Sequence, residues 1–564
     1  MRKLLLSIAV LVFVVPASLS SENKSFNRER TYDVLHYIMR LDFDRPAKIV
    51  KGDSTVELTP LESAISTVDL DARDLNFEFV GLEGSNDELP YKVIQPKTLR
   101  ITLPREYKPG EKIAFRIRYT AKPKKGIYFV DELRDGNRRI HSSQVWTQGE
   151  SEETHHWLPS FDFPDDKATT EQFLTAEPGE TAIGNGEFLG KKELENGRAV
   201  FHYKMNVPHS LYLTSFVIGE YNKVEDKYKD IPLGYYVYPG QEKIVEPAYG
   251  KTKDMFALFE DLTKVDYPYN KYDQTMVADF AFGGMENITA TTMADSQIML
   301  ARLEFGRPLV EDLVAHELAH SWFGNLVTCR NWAELWLNEG FATFLEAVFR
   351  EKAYGRANYD GKIRDEAAAY MGYAVGQGNI DHALFNTLAD ASDDDSMFTT
   401  VTYQKGGSVI HMLREELGDE AFWKGVNIYL KKHEFQTVET PDLIEAMEEA
   451  SGRDLKWFFD QWVYKRGFPR LKVAHGWDSR TGKARLRIEQ TQASTSANKV
   501  PSAFRLPFDV KFETSNGAVT RTVLVEKRSQ EFILDVPGQP SKVEIDPANK
   551  IPIKHVSYSA ITIR

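Results

Sequence analysis

The chain has 564 residues, of which 42% are hydrophobic and 12% aromatic, and its formal net charge is −13 at pH 7. This composition is typical of a globular protein and excludes a disordered one, and the length predicts three or four domains. The excess of negative charge argues against nucleic acids and anionic membrane surfaces as partners, because both are themselves negatively charged.

Residues 1–20 are typical of a secretory signal peptide. Arg2 and Lys3 precede an apolar stretch at 4–15, which is followed by small residues. That stretch is too short to span a bilayer comfortably, so an uncleaved membrane anchor is the less favoured alternative. We therefore expect an exported protein, periplasmic or secreted, with no membrane partner after cleavage.

Cys329 is the only cysteine, which excludes an intramolecular disulfide and predicts a buried thiol.

Strand patterns dominate the next part of the chain. Apolar residues alternate with more polar ones from Leu35 to Phe43 and again from Ile113 to Tyr119. The sequence therefore predicts an N-terminal β domain over residues 21–225.

The pattern changes to helices in the following 240 residues or so. One helix is predicted to begin near Pro308 and to end at Gly324, where a Gly-Asn pair is a plausible stop. A second helix is predicted to begin near Asn331, and more helices follow it. These helices define a predicted second domain over residues 226–468.

Strand patterns return after Pro469. Residues 484–488 and 504–512 alternate apolar and polar side chains, with turn signals between such runs. Several short strands in so few residues predict a small β-sandwich over residues 469–564.

A metal-binding pattern occurs at the predicted end of the first helix. His316 and His320 lie four residues apart, which places both imidazoles on one helix face, where they can bind one zinc ion. Catalytic zinc usually takes three protein ligands, and Glu339 is the natural third. Glu317 is not a ligand and is predicted to be the general base toward the zinc-activated water. Glu346 either orients a ligand histidine or faces solvent.

Four sequence blocks, in this order, resemble the zinc aminopeptidases (gluzincins) that include aminopeptidase N and the leukotriene-processing hydrolase. The blocks are Gln148-Gly149-Glu150, Gly283-Gly284-Met285-Glu286-Asn287, His316 to Asn325 with Glu339, and Tyr403-Gln404-Lys405-Gly406. The resemblance implies a multidomain α+β fold with a saddle-like N-terminal β domain, a thermolysin-like zinc catalytic domain and a C-terminal β-sandwich. Relatives of aminopeptidase N continue into a large helical domain, which we do not expect in this chain.

The resemblance also implies roles for several side chains. Tyr403 would donate a hydrogen bond to the oxyanion that forms when a peptide carbonyl is attacked. Glu150 and Glu286 would bind the free α-ammonium group of the substrate through charge-assisted hydrogen bonds.

The remaining substrate contacts are expected around the second block. Gly283 and Gly284 would expose backbone that pairs with an extended substrate. Met285 and Gln148 are expected to line the same subsite, with Phe282 as a further candidate wall.

The expected function is removal of single residues from the free N-termini of peptides by an enzyme with one zinc ion per chain. The alternatives are a zinc endopeptidase, an epoxide hydrolase acting in the same pocket, and a noncatalytic scaffold. Neither the motifs nor the periodicity predicts the preferred first residue, the largest peptide admitted or the oligomeric state.

Overall fold

The computed structural model describes residues 26–94, 97–376, 382–495 and 499–560. The predicted signal peptide, residues 1–20, lies outside these ranges. No helix within them combines the length and the apolarity needed to span a lipid bilayer. The chain has a β-rich N-terminal region, a mostly helical central region and a C-terminal region of strands.

The structure describes sixteen strands in the N-terminal region, over residues 26–94 and 97–219. They are β1 (Tyr32–Asp44), β2 (Ile49–Pro60), β3 (Ile65–Asp71), β4 (Leu75–Leu82), β5 (Tyr91–Ile94), β6 (Thr98–Tyr107), β7 (Ile113–Ala121), β8 (Ile127–Val130), β9 (Leu133–Asp135), β10 (Arg138–His141), β11 (Gln144–Thr147), β12 (Lys167–Ala176), β13 (Thr181–Gly184), β14 (Glu187–Glu193), β15 (Ala199–Ser210) and β16 (Phe216–Gly219). Seven of them form one sheet in the order β14-β15-β12-β1-β2-β7-β4. A four-stranded sheet, in the order β13-β16-β11-β8, includes β16, the last strand before the central region.

Strand β1 follows the predicted alternation except at its beginning. Tyr37, Met39 and Leu41 are buried, as an inward-facing period of two requires. Leu35 is only partly buried, because a β-bulge between Val34 and His36 turns Val34 inward instead. A bulge depends on pairing with β2, so alternation alone does not predict it.

Within its described residues, the central region contains eleven helices and seven strands. The helices are α1 (Val245–Tyr249), α2 (Thr252–Thr263), α3 (Asp295–Ile298), α4 (Arg307–Ala319), α5 (Trp336–Tyr354), α6 (Arg356–Gly376), α7 (Asp394–Met397), α8 (Gly406–Leu417), α9 (Asp419–Lys432), α10 (Thr440–Ser451) and α11 (Lys456–Trp462). The strands are β17 (Asn222–Tyr228), β18 (Ile231–Val237), β19 (Tyr272–Val277), β20 (Gly284–Met285), β21 (Ala290–Ala294), β22 (Thr328–Cys329) and β23 (Thr437–Val438).

Five of these strands form a sheet, β17-β18-β19-β21-β20, that the helical pattern of the region did not predict. Every residue of β19 and β21 is buried, so neither strand shows the apolar-polar alternation of a half-exposed strand. The sheet begins with β17, which spans the predicted domain boundary at residue 225. Its far edge is β20, where the Gly-Gly-Met block lies.

The C-terminal region consists of strands, as predicted. They are β24 (Arg470–Asp478), β25 (Lys483–Gln490), β26 (Leu506–Thr514), β27 (Gly517–Val525), β28 (Ser529–Asp535), β29 (Pro540–Ile545) and β30 (His555–Ala560). They form a four-stranded sheet, β28-β25-β24-β30, and a three-stranded sheet, β27-β26-β29. Inward-facing residues such as Leu486, Phe508 and Val510 are buried in the same hydrophobic core as the central region.

Candidate active site

Helix α4 carries His316 and Glu317, and His320 follows its last residue. It ends at Ala319, so the predicted end at Gly324 is wrong by five residues. The chain leaves the helix in a tight turn in which Gly324 has a φ of +125°, a conformation that favours glycine. His320 nevertheless keeps helical dihedral angles, and its N–H donates to the carbonyl of His316 at 3.2 Å. The two imidazoles therefore remain on one face.

Three donor atoms converge in front of α4. Glu339, on α5, places Oε2 3.2 Å from His316 Nε2 and 3.4 Å from His320 Nε2. The outer nitrogens are engaged elsewhere, since His316 Nδ1 lies 2.8 Å from Glu346 Oε1 and His320 Nδ1 lies 2.8 Å from the carbonyl of Phe323. Both partners are acceptors, so each Nδ1–H donates to its partner, and Nε2 is the nitrogen that each imidazole presents to a metal. Two imidazoles and one carboxylate fit zinc.

We call His316, His320 and Glu339 the metal-donor set. The electrostatics of the metal-donor set favour a bound cation. Although burial opposes ionisation, the neighbouring histidines lower the pKa of Glu339 to about 2. Burial would also lower the pKa of His320, but the carboxylates of Glu286 and Glu339 raise it to about 9. The carboxylates therefore dominate the local potential, as a site for a divalent cation requires.

Glu317 projects from α4 beside the donor set and is 4% exposed. Its Oε2 has no hydrogen-bond partner among the residues that the structure describes. Burial raises the pKa of this carboxyl to about 8, against the opposing charges of His316 and His320. A carboxyl group with a raised pKa can accept a proton near neutral pH and release it again.

Glu150 and Glu286 come from different regions of the fold and meet at the same cavity. Glu150 lies just beyond β11, and Glu286 follows the edge strand β20. One carboxylate oxygen from each lies within 4.8 Å of the other and of an oxygen of Glu339. The Asn325 side-chain amide donates to the backbone carbonyl of Glu286 at 2.9 Å, which ties this residue to the turn after α4.

Both carboxylates are buried without full compensation. Glu150 and Glu286 are 5% and 3% exposed, and the Oε1 atom of each has no hydrogen-bond partner within the described ranges. Burial raises the pKa of each carboxyl, and the charge of Glu286 raises that of Glu150 further. Such a pair is costly unless a cation binds between its members.

Tyr403 lies against the metal-donor residue His316 and lines the same cavity. It lies in a single π-helical turn, Val401–Lys405, immediately before α8. Its ring stacks over His316 with centroids 6.0 Å apart and an interplanar angle of 29°. Burial, reinforced by the charge of Glu339, raises the pKa of Tyr403 well above its usual range, so its hydroxyl remains a hydrogen-bond donor.

These side chains surround one small cavity of about 40 Å³. Its lining residues are Gln148, Glu150, Phe282, Gly284, Met285, Glu286, His316, Glu317, His320, Glu339, Phe398 and Tyr403. The metal-donor set, a carboxyl base and a hydroxyl donor thus face the same volume, an arrangement suited to metal-assisted hydrolysis.

Two predicted residues lie outside this lining. The carbonyl of Gly283 accepts a hydrogen bond from Ala294 N at 2.9 Å, so that group is used within the sheet. Glu346 lies behind His316, where it holds Nδ1.

The apolar wall of the cavity includes one residue that the sequence did not single out. Phe398 follows α7 and packs edge-on against Phe282, with ring centroids 5.5 Å apart. Gln148 Nε2 contacts Met285 Sδ at 3.3 Å and closes the same side. Phe398 lies in no motif or periodic pattern, and only its position near Tyr403 in the sequence hinted at a role.

Comparison with known proteins places the whole site within two family domains. The Peptidase family M1 domain matches residues 248–462, and the Peptidase M1 N-terminal domain matches residues 33–213. Together they cover most of the chain and every candidate site residue. The chain belongs to peptidase family M1, which confirms the resemblance inferred from the four sequence blocks.

Individual relatives are similar over large parts of this chain. Aminopeptidase 2, mitochondrial, of Saccharomyces cerevisiae is 28% identical over 538 residues, covering 91% of this chain and 54% of that protein. Aminopeptidase N of Streptomyces lividans is 32% identical over 353 residues, covering 61% and 40%. Glutamyl aminopeptidase of Homo sapiens is 30% identical over 430 residues, covering 74% and 44%. The chain spans about half the length of the curated relatives it matches.

Proposed function

We propose that the protein is a zinc-dependent aminopeptidase that hydrolyses the first peptide bond of peptides with a free N-terminus. The observation that carries this proposal is the meeting of Glu150 and Glu286 beside the metal-donor set. Their oxygens lie within 4.8 Å of one another, and both side chains are buried.

The carboxylate pair supports an aminopeptidase over an endopeptidase. Two carboxylates around one α-ammonium group form charge-assisted hydrogen bonds with it, and its positive charge offsets the cost of burying them. The same pair blocks a substrate chain from extending past its first residue. A peptide bond in mid-chain brings no cation to this position, so it would leave both charges unpaired.

The proposed chemistry uses the remaining side chains of the cavity. His316, His320 and Glu339 would hold one zinc ion, which when bound polarises the scissile carbonyl and lowers the pKa of water toward ~7. Glu317 takes the proton from the attacking water molecule and passes it to the leaving amine. The hydroxyl of Tyr403 donates to the carbonyl oxygen as negative charge develops there.

The substrate backbone is proposed to pair with the edge strand β20. An edge strand has free backbone groups on one side, and an extended peptide can add to it as a further strand. Gly284 and Met285 form this strand, and Gly283 precedes it. Gln148 and Met285 then contribute to the pocket for the first side chain, together with Phe282 and Phe398.

Hydrolysis of an aminoacyl chromogenic amide and its N-acetylated twin, with and without a chelator, tests this proposal. We expect cleavage of the free amine alone, abolished by the chelator and restored by zinc. Equal cleavage of both would instead indicate an endopeptidase or general amidase. Cleavage of neither across a panel of side chains would favour the epoxide hydrolase or the scaffold.

Export belongs to the same proposal and depends on the pattern of residues 1–20. We propose a periplasmic or secreted enzyme whose partners are peptides rather than nucleic acid or membrane. N-terminal sequencing of the protein recovered from the source cell tests this, because a mature chain that begins near residue 21 is expected.

A further inference from the structure

A cluster of buried charges lies behind His316, on the side away from the cavity. We call it the Lys362 cluster; its members are Asp312, Glu346, Arg350, Lys362 and Glu366. Lys362 Nζ, on α6, lies 2.6 Å from Glu346 Oε2, 2.8 Å from Glu366 Oε1 and 3.2 Å from Asp312 Oδ2. Its side chain is 14% exposed, and those of the three carboxylates are 8–11% exposed.

The two oxygens of Glu346 have different tasks in this cluster. Oε1 accepts from His316 Nδ1 at 2.8 Å, whereas Oε2 is bound by Lys362 at 2.6 Å. A carboxylate held at both oxygens has little rotational freedom, so its geometry toward the imidazole is fixed. Without Lys362, one oxygen of Glu346 would face the carboxylates of Asp312 and Glu366, and like charges would repel it from its present position.

The second cation of the cluster cannot take over this role. Arg350 binds Asp312 through Nε at 2.6 Å and Nη2 at 2.5 Å, a two-pronged pair that neutralises this neighbouring carboxylate. Lys362 therefore holds Glu346, while Arg350 holds Asp312.

We propose that Lys362 is a positioning residue for the metal centre: it fixes Glu346, which in turn holds His316 with Nε2 directed at the metal. The inference rests on the proposed zinc site and extends it to a residue on α6, a helix that contributes no ligand. The partners of ligating histidines typically change metal affinity by about 10–100-fold when removed. Lys362 acts one contact further out, through the partner itself.

The test is the dissociation constant for zinc of the full chain, measured by competition with a chromophoric chelator. Lys362→Met removes the charge and keeps most of the side-chain length, whereas Lys362→Arg keeps the charge. Arg350→Met is the matched control, because it removes a partly buried cation from the same cluster without removing the partner of Glu346. Melting temperatures of the metal-free proteins establish that each variant is folded.

The direction of the change separates positioning from simple electrostatics. Loss of a cation near a cation site would, through charge alone, tighten zinc binding. We expect Lys362→Met to weaken it, raising the dissociation constant about tenfold. Lys362→Arg and Arg350→Met are expected to stay within about threefold of the wild type.

Further variants keep the result decisive. If Lys362→Met does not fold without metal, Lys362→Gln replaces it with the same expected direction. In a Glu346→Gln background, Lys362→Met should have no further effect on zinc binding, because its route to His316 is already changed. Unchanged or tighter zinc binding by folded Lys362→Met or Lys362→Gln, or equal weakening by Arg350→Met, would overturn the inference. A wild-type chain that binds no zinc would overturn the proposed function as well.

Discussion

The two halves of the active-site cavity differ in how the protein holds them. In the metal-donor half, comprising His316, His320 and Glu339, each imidazole is hydrogen bonded on its outer side. In the proposed amine-binding half, comprising Glu150 and Glu286, each residue has a buried Oε1 atom without a hydrogen-bond partner in the part of the chain described. Hydrogen bonds within the fold fix the metal-donor half, whereas the other half has carboxylate oxygens available to bind a ligand.

This difference indicates which interactions serve the fold and which serve a substrate. Buried polar atoms in a folded protein are nearly always satisfied, and an uncompensated buried carboxylate destabilises the fold. Two such carboxylates side by side therefore point to a cationic ligand. In the proposed function, the donor half would need only a metal, whereas the amine-binding half would be completed by each substrate molecule in turn.

Glu317, which lies between the two halves, gives the largest expected effect. Glu317→Gln keeps the size of the side chain but removes the base, so kcat should fall about 10²–10⁴-fold. Zinc content and KM should change little, because neither half is altered. Measuring kcat together with bound metal checks this, and substantial residual activity would exclude Glu317 as the base.

Tyr403→Phe removes a donor that acts only as the oxyanion develops. We expect kcat to fall about 10²–10³-fold, with KM nearly unchanged. The phenyl ring can still stack on His316, so zinc binding should stay as in the wild type. A loss of zinc from this variant would show that Tyr403 supports the donor half instead.

Glu286→Gln alters the amine-binding half alone. Loss of one charge-assisted hydrogen bond, about 1.5–3 kcal/mol, should raise KM for free-amine substrates about 10–100-fold. Glu420→Gln, at an exposed glutamate on α9, is the matched control and should leave KM unchanged. The KM of both variants is measured by steady-state kinetics with an aminoacyl amide.

The pH profile should report the environment of Glu317. Burial raises the pKa of its carboxyl from 4.5 to about 8, and a bound cation would lower it again within that range. Because the base must be ionised, kcat/KM should fall as the pH drops through this window, about tenfold per pH unit. Intrinsic fluorescence over the same range controls for unfolding. Full activity of the folded enzyme down to pH 4 would contradict the assignment.

Cys329 gives the smallest expected effect. Its thiol is fully buried at β22, and the residue belongs to neither half of the cavity. Cys329→Ala should reduce the free energy of unfolding by about 1 kcal/mol and leave kcat/KM within about twofold of the wild type. Thermal melting and kinetics on the same preparation check both statements.

The sequence was most informative where spacing alone sets geometry. His316, Glu317 and His320 are related through one helical turn, so their relation persists although α4 ends five residues before the predicted stop. The alternating strands of the N-terminal and C-terminal regions were predictable for the same local reason. The sheet built on β19 and β21 was not, because strands buried on both faces lack alternation.

Local sequence patterns could not predict which residues, distant in the sequence, lie close together in the fold. Glu150 was assigned by resemblance, and its approach to Glu286 depends on how the N-terminal region packs against β20. Lys362 is 46 positions from His316 in the sequence, and no motif connects the two. Its proposed role depends on the packing of three helices, in which Glu346 on α5 lies between His316 on α4 and Lys362 on α6.

We propose above all that the carboxylate pair of Glu150 and Glu286 selects substrates with a free amine. Its most direct test is the ratio of kcat/KM for an alanyl chromogenic amide to that for its N-acetyl twin, in the wild type and in Glu150→Gln/Glu286→Gln. We expect a large ratio in the wild type and a fall of about 100-fold or more in the double variant, while zinc stays bound. An unchanged ratio in the folded, zinc-loaded double variant would contradict it.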